Sequence, residues 1–354
     1  MDPIAHTLLG ATLAEAGLKK LSRYATPALV IGANLPDIDI AASLWGGDAS
    51  LYFRRGWTHG ILALIVLPLL LAGSLWAWDK WCKPRTISPP LRLPILIGLC
   101  FLGVWSHPLL DWLNTYGVRL LMPFSDRWFY GDTLFIIDPW FWLITAAAIV
   151  LAYSHTRRAV ASWWVLAGLS TVLVLTADQV PLTAQIVWLS GVGIIALFRL
   201  RFSENLDPRH LARVSLAVLL VYIAGMYGIG RLAESRATAS EPEALTAQAN
   251  PLPGMPLSHR IVLVHEKSYR VIRANGELID LPREPADAIV RAALNSDSIK
   301  GFVHWMRFPY WEIQETPQGW LVTLRDLRYV DPLAPDTAFG AAQVEVLKEQ
   351  VELP

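Results

Sequence analysis

Over its first two thirds the chain alternates long apolar runs with short polar loops. The apolar segments lie near 60–78, 94–113, 137–153, 161–177, 183–199 and 212–230. A helix that crosses the hydrocarbon layer needs about 20 apolar residues, within a range of roughly 17–25. The pattern therefore predicts about six transmembrane helices, the shorter ones drawing on flanking residues. Two moderately apolar pieces, 3–18 and 25–45, precede them. The second contains "NLPDIDI", which argues against a plain lipid-facing span. Both are expected to be short helices at or just inside the membrane surface. Residues 234–258, rich in Ala, Pro, Ser and Glu, read as a linker. Beyond them the pattern is that of a soluble domain. "HRIVLVHE" and "YRVIRANGELIDL" predict strands around an Asn-Gly turn. "EPADAIVRAALNS" predicts a helix opened by Pro and acidic residues, and "GFVHWMRF" and "YWEIQETPQGWLVTLRDLRYV" predict further strands. The expected fold is a polytopic α-helical membrane domain over 1–233, the linker, and a small soluble α+β domain over 259–354.

Composition agrees. Charged residues make up 17% of the chain, against about 25% in a typical soluble domain. Formal net charge is zero, so there is no basic excess to recruit nucleic acid. Sixteen Trp suit aromatic anchors at the two membrane interfaces. Cys82 and Cys100 are too few for a disulfide framework and lack metal-type spacing. The N-terminus has no basic region and no clear cleavage site, so it reads as mature sequence rather than a signal peptide. With six spans, loops 79–93, 154–160 and 199–213 share one side and carry ten Lys and Arg, against two, Arg119 and Arg127, in loops 114–136 and 178–182. The positive-inside tendency makes the first set cytoplasmic and places the C-terminal domain outside. Lys19, Lys20, Arg23, Arg54 and Arg55 in the N-terminal region pull the other way.

Against this apolar background the ionisable residues are concentrated. An Asp at the centre of a membrane helix costs roughly 2.5–3.5 kcal/mol on insertion scales, yet Asp111 lies in an apolar run four residues after His107. That spacing puts both on one helix face. His6 lies in the first short helix, Asp37 and Asp39 follow Pro36, and His59 precedes the first long span. Antiparallel spans bring all six residues to one membrane face. Imidazole with carboxylate suits Zn²⁺, and a carboxylate-rich set also admits Mn²⁺ or Mg²⁺. A divalent cation would neutralise the carboxylates and so account for Asp111. Asp132 and Asp138, near the membrane in the following loop, are possible additional members.

The motifs "DPIAHTLLG", "GANLPDIDI", "RRGWTHG" and "HPLLDWLNTYGVRLLMPF", in that order, resemble the signature of the YdjM-like, LexA-binding, inner-membrane-associated metal-dependent hydrolases. The resemblance covers roughly residues 1–140, and Gly117, Pro123 and Phe124 fit it as well. It implies that His6, Asp37, Asp39, His59, His107 and Asp111 form a metal site. Gly60 departs from it, standing where a Ser is expected. The order of these motifs is also similar to that of zinc-dependent phospholipase C, which does not fix a substrate.

The resulting expectation is a multi-pass bacterial inner-membrane hydrolase, acting on a phosphoester or lipid-like substrate through metal-activated water. Asp39 is the expected general base, and Arg54 or Arg55 is a candidate phosphate contact, although headgroup contact or topology is the plainer reading of that pair. The expected partners are the lipid bilayer and a lipid-like or small-molecule substrate; the sequence names no protein partner. The competing expectation is a metal or small-molecule transporter, which would place polar groups at mid-membrane in several spans.

Overall fold

The structure is a computed structural model describing residues 1–82, 89–154, 156–177, 180–202, 207–330 and 340–351. Lys83 and Arg85, two of the ten loop cations, lie outside the described residues. In chain order the helices are α1 (Pro3–Glu15), α2 (Ala25–Gly32), α3 (Gly47–Phe53), α4 (Ile61–Cys82), α5 (Leu93–Trp112), α6 (Pro139–Tyr153), α7 (Arg157–Thr176), α8 (Leu182–Phe202) and α9 (Pro208–Ser240). A 3-10 stretch, Leu35–Trp45, follows α2. Then come strands β1 (Thr246–Leu252), β2 (Met255–Val264), β3 (Ser268–Ile272) and β4 (Leu278–Pro282), helices α10 (Ala288–Leu294) and α11 (Lys300–Trp305), and strands β5 (Pro309–Thr316), β6 (Gly319–Asp326) and β7 (Ala341–Leu347).

Among the described residues, six stretches are long and apolar enough to cross a membrane: Ala25–Trp45, α4, α5, α7, Leu182–Arg201 and α9. Five of these coincide with predicted spans. The sixth predicted span is α6, whose 15 residues give a length of about 22 Å at 1.5 Å per residue, against a hydrocarbon core of about 30 Å. Ala25–Trp45 has spanning length and composition, but only Ala25–Gly32 is α-helix.

The chain forms two compact units. The first comprises Met1–Ile38, Arg55–Ile229 and Pro251–Ser258. Its helix starts are written in the sequence. Asp2 caps α1 by accepting from the Ile4 and Ala5 amides, and Asp138 caps α6 by accepting from Phe141; each is followed by Pro at the first helical position, where the missing N–H costs nothing. Small residues let the helices approach closely. A Cβ on Gly103 of α5 would stand 2.7 Å from the Ala28 carbonyl oxygen of α2, and one on Gly32 would stand 3.1 Å from Val104 N. Ala28, Leu29, Leu96 and Cys100 fill this seam with no exposed surface. Gly103→Val should force the two backbones apart, with an overpacking cost of about 1–3 kcal/mol. Thermal unfolding in detergent should show a lowered midpoint; an unchanged midpoint would mean that α2 and α5 are not in contact.

The second unit comprises Asp39–Arg54, Gly230–Asn250 and the chain from His259 onward. The expected single membrane domain over 1–233 thus loses an insert, residues 39–54. The insert belongs here because the Asp48 carboxylate accepts from the Gly301 and Phe302 amides at 2.9 and 3.0 Å, while a Cβ on Gly301 would meet the Asp48 carbonyl oxygen at 2.1 Å. The strands form two sheets, ordered β1-β2-β3-β4 and β5-β6-β7, with antiparallel pairing from β2 to β4 and throughout the second sheet. The Asn-Gly turn forms between β3 and β4, with Gly276 at φ 84°.

Two expectations are corrected here. Residues 234–258 are not an open linker. The Ala, Glu and Arg of "ESRATAS" are good helix formers and carry α9 to Ser240, and the Glu234 carboxylate accepts from Ala249 N and Gln248 Nε2, both at 3.0 Å, tying the helix to β1. "GFVHWMRF" is largely α11 rather than a strand, because Asp48 supplies the acceptor for the first free amides of that turn.

Candidate metal centre

The close seam between α2 and α5 places the Ala33 carbonyl 2.6 Å from His107 Nδ1. A carbonyl only accepts, so Nδ1 carries the proton, and in the neutral ring Nε2 presents a lone pair. That lone pair faces His59 Nε2 at 3.1 Å, Asp111 Oδ2 at 3.4 Å and Asp37 Oδ1 at 3.7 Å. His59 Nε2 is in turn 3.3 Å from Asp111 Oδ2. One proton can fill one of these gaps but not all of them. A cation between the four atoms engages every one.

The spacing fits that cation. Four ligands about 2.0–2.1 Å from a tetrahedral centre stand about 3.3–3.4 Å apart. The ligand atoms of Asp37, His59, His107 and Asp111 all lie within 4.8 Å of one another, and four of the separations, at 3.1, 3.3, 3.4 and 3.7 Å, lie near that edge length. His59, His107 and Asp111 have no exposed surface; Asp37, at the start of the 3-10 stretch, is partly open. The Thr58 hydroxyl lies 3.0 Å from His59 Nδ1, so both imidazoles have their outer nitrogen held in the manner usual for metal-binding His.

His6 packs against this group. Its ring stacks on that of His107 with centroids 3.8 Å apart, and its Nε2 is 3.3 Å from Asp111 Oδ1. Its buried Nδ1 makes no hydrogen bond. The Met1 amino group pairs with Asp111 Oδ1, and burial lowers its pKa to about 6.

Arg55 is the residue whose role the sequence concealed. It does not face lipid headgroups. It is 2% exposed, with Nε 2.9 Å from Asp111 Oδ2 and with Nη1 donating to Asn114 Oδ1 at 2.8 Å and to the Gly117 carbonyl at 3.2 Å. Its guanidinium lies over the Tyr116 ring, 4.5 Å from the centroid. Arg55 also adopts φ 53°, and its carbonyl accepts from Arg119 N at 2.8 Å. Asp111 is therefore matched by a buried cation from the chain itself. Asn114, three residues beyond Asp111 in "DWLNTYG", had no periodicity to announce it.

The other predicted members are placed differently. Asp39 belongs to the second unit, where its carboxylate is 3.8 Å from Arg54 Nε. A 3-10 helix turns about 120° per residue, so Asp37 and Asp39 leave it on different sides. Asp138 caps α6 and accepts from the Tyr222 hydroxyl at 2.8 Å. Asp132 sits in a loop at φ 48°. Neither is in the cluster of four. The departure at Gly60 has a steric reason: a Cβ there would stand 2.3 Å from the Met122 carbonyl oxygen.

Comparison with known proteins places the chain in a family. The family model described as YdjM inner membrane protein matches residues 1–180, just over half of the 354 residues. The chain belongs to the YdjM inner membrane protein family. The YdjM match encloses all four cluster residues together with His6 and Arg55. A curated relative, "Uncharacterized protein YfhP" of Bacillus subtilis (strain 168), is 28% identical over 154 residues, which cover 43% of this chain and 39% of YfhP. The chain thus spans about two fifths of that relative's length. No solved structure matches the chain. Family membership and the apolar helices make this a multi-pass membrane protein.

Proposed function

We propose that this YdjM-family chain is a metal-dependent hydrolase of the bacterial inner membrane, with Zn²⁺ as the metal its ligands suit best and a phosphoester or lipid-like substrate. The observation that carries the reading is the His107 lone pair, fixed by Ala33, converging with His59, Asp37 and Asp111 at tetrahedral spacing. A divalent cation held there supplies Lewis acidity and draws the pKa of a coordinated water toward about 7. His59, His107 and Asp111 would hold it from the buried side, and the partly open Asp37 from the accessible side. Arg55 would fix the orientation of Asp111 and cancel one of the two carboxylate charges, so that the loaded centre is net positive and attracts an anionic ester. The loop-charge asymmetry supports an extracytoplasmic C-terminal unit.

The transporter reading has less behind it. Residues 159–177 of the α7 region and 182–198 of α8 contain no ionisable side chain, whereas a transport path calls for such groups in several spans. The experiment compares the purified protein with its Asp39→Asn variant in detergent, using bis(p-nitrophenyl) phosphate and a short-chain phospholipid. Wild type should turn over at least one of them only with metal bound. Asp39→Asn should keep its metal; a loss of roughly 10²–10⁴-fold would make Asp39 the general base, and full activity would remove it from that role. A metal-loaded protein that hydrolyses neither ester, but moves the metal across proteoliposomes, would overturn the hydrolase.

A further inference from the structure

The insert of the second unit exposes large apolar side chains in a short span of sequence. Leu44 and Trp45 are 83% and 76% exposed, Ile40 55%, and Tyr52 and Phe53 about 45% each. Trp45, Tyr52 and Phe53 line one open cleft together with the Asp297–Lys300 ion pair. Other exposed apolar residues of this unit, such as Leu278 and Ile313, are scattered singly, which is ordinary. Five large apolar side chains exposed within fourteen residues, three of them in one cleft, are the kind of group that marks an interaction surface.

We infer that residues 40–53 form a bilayer-docking surface, seating the second unit on the interfacial region of the membrane through Ile40, Leu44, Trp45, Tyr52 and Phe53.

Three observations commit the surface to lipid. The first is reach. Arg54 precedes Ile61, the first residue of α4, by only seven positions, and seven extended residues span at most about 25 Å. The insert is therefore tethered to the end of a membrane helix. The second is sidedness. Asp48 is bonded to Gly301 and Phe302, so the insert and the C-terminal residues occupy one side of the membrane. A chain that leaves that side after Arg54 and returns at Gly230 crosses an even number of times. Five long apolar helices lie between, so α6 must be the sixth crossing. The Leu35–Trp45 stretch is 3-10 rather than α-helix and ends inside the second unit. The third is chemistry. Trp and Tyr are the side chains enriched at membrane interfaces. Asp39, Asp48 and Arg54 are the charged residues of the insert, so attachment rests on apolar burial rather than on anionic lipid.

The test uses the full chain in lipid nanodiscs, with Cys82 and Cys100 replaced by Ser. A single cysteine at position 44, or at Glu315 on β5 as the control, carries an environment-sensitive nitrobenzoxadiazole label. Phosphatidylcholine bearing a nitroxide near the top of its acyl chain should quench the label at 44 several-fold more than at 315, equally at low and high salt. Equal quenching at the two sites would overturn the inference. So would a blue-shifted label at 44 that nitroxide lipid leaves untouched, since protein would then cover the surface. In oriented vesicles, a membrane-impermeant maleimide should reach cysteines placed at Ser43 and Glu315 from the same side. Labelling from opposite sides would remove the even-crossing argument and the inference with it.

Discussion

Replacing His59 and His107 together with Ala is expected to abolish stoichiometric divalent metal in the purified protein, measured by inductively coupled plasma mass spectrometry beside wild type. The two imidazoles supply two of the four atoms that lie at tetrahedral spacing, and both are fully buried with their outer nitrogens already held. What remains, Asp37 and Asp111, is a pair of oxygen ligands, one of them engaged by Arg55. Such a pair is a poor site for a borderline-soft cation. The variant should still fold. The glycine packing between α2 and α5 and the Arg55–Asp111 pair remain; the Ala33 carbonyl loses the His107 donor, but no charge loses its only partner. Wild-type metal content in the double variant would end the metal-centre reading, whatever the enzyme assays show.

Arg55→Met is expected to be the most destabilising single substitution at the site. It keeps much of the apolar volume of the side chain and removes the cation beside Asp111. Removing one partner from a buried charge costs about 3–5 kcal/mol; the Met1 amino group stays on Asp111 and offsets part of that, while Asn114 Oδ1 and the Gly117 carbonyl lose a donor. The midpoint of thermal unfolding of metal-free protein should fall sharply. Combining Arg55→Met with Asp111→Asn should recover much of the loss, because the stranded charge is then gone. Added Zn²⁺ should also recover part of it for Arg55→Met alone, since a ligand that binds only the native state stabilises it by mass action. Arg55→Met with an unchanged midpoint would show that Arg55 is not the counter-charge of Asp111.

Much of the molecule is legible in the order of its residues, because a bilayer imposes a simple pattern. A helix that must hide its backbone from hydrocarbon needs a continuous apolar run, and α4, α5, α7, α8 and α9 all announce themselves in this way. The misread elements of the second unit have no such constraint. "GFVHWMRF" carries apolar residues at spacings that suit a strand as well as one short helix, and the choice is made by the Asp48 carboxylate some 250 positions away. "ESRATAS" has linker composition and helix propensity at once; Glu234 reaching Ala249 selects the helix.

The candidate site divides in the same manner. His6, Asp37, His59, His107 and Asp111 can be picked out by residue type, by order along the chain and by the expectation that antiparallel spans return to one face. Those are one-dimensional properties, and charge is costly enough in an apolar segment to make each position conspicuous. The sequence by itself could not separate Asp37 from Asp39, because the decision lies in a 3-10 turn that sends neighbouring carboxylates apart. It named Arg55 as a candidate phosphate contact, with a headgroup or topology role as the plainer reading, but could not show that folding buries it against Asp111, Asn114 and Tyr116. Nor could it show the Ala33 carbonyl, 74 residues from His107, since a backbone acceptor carries no residue code. Composition and periodicity determined that this is a membrane protein with metal-type ligands gathered at one face. The tertiary structure decided which ligands share a centre, which charge offsets Asp111 and which tautomer His107 adopts, because each depends on contacts between residues far apart in the chain.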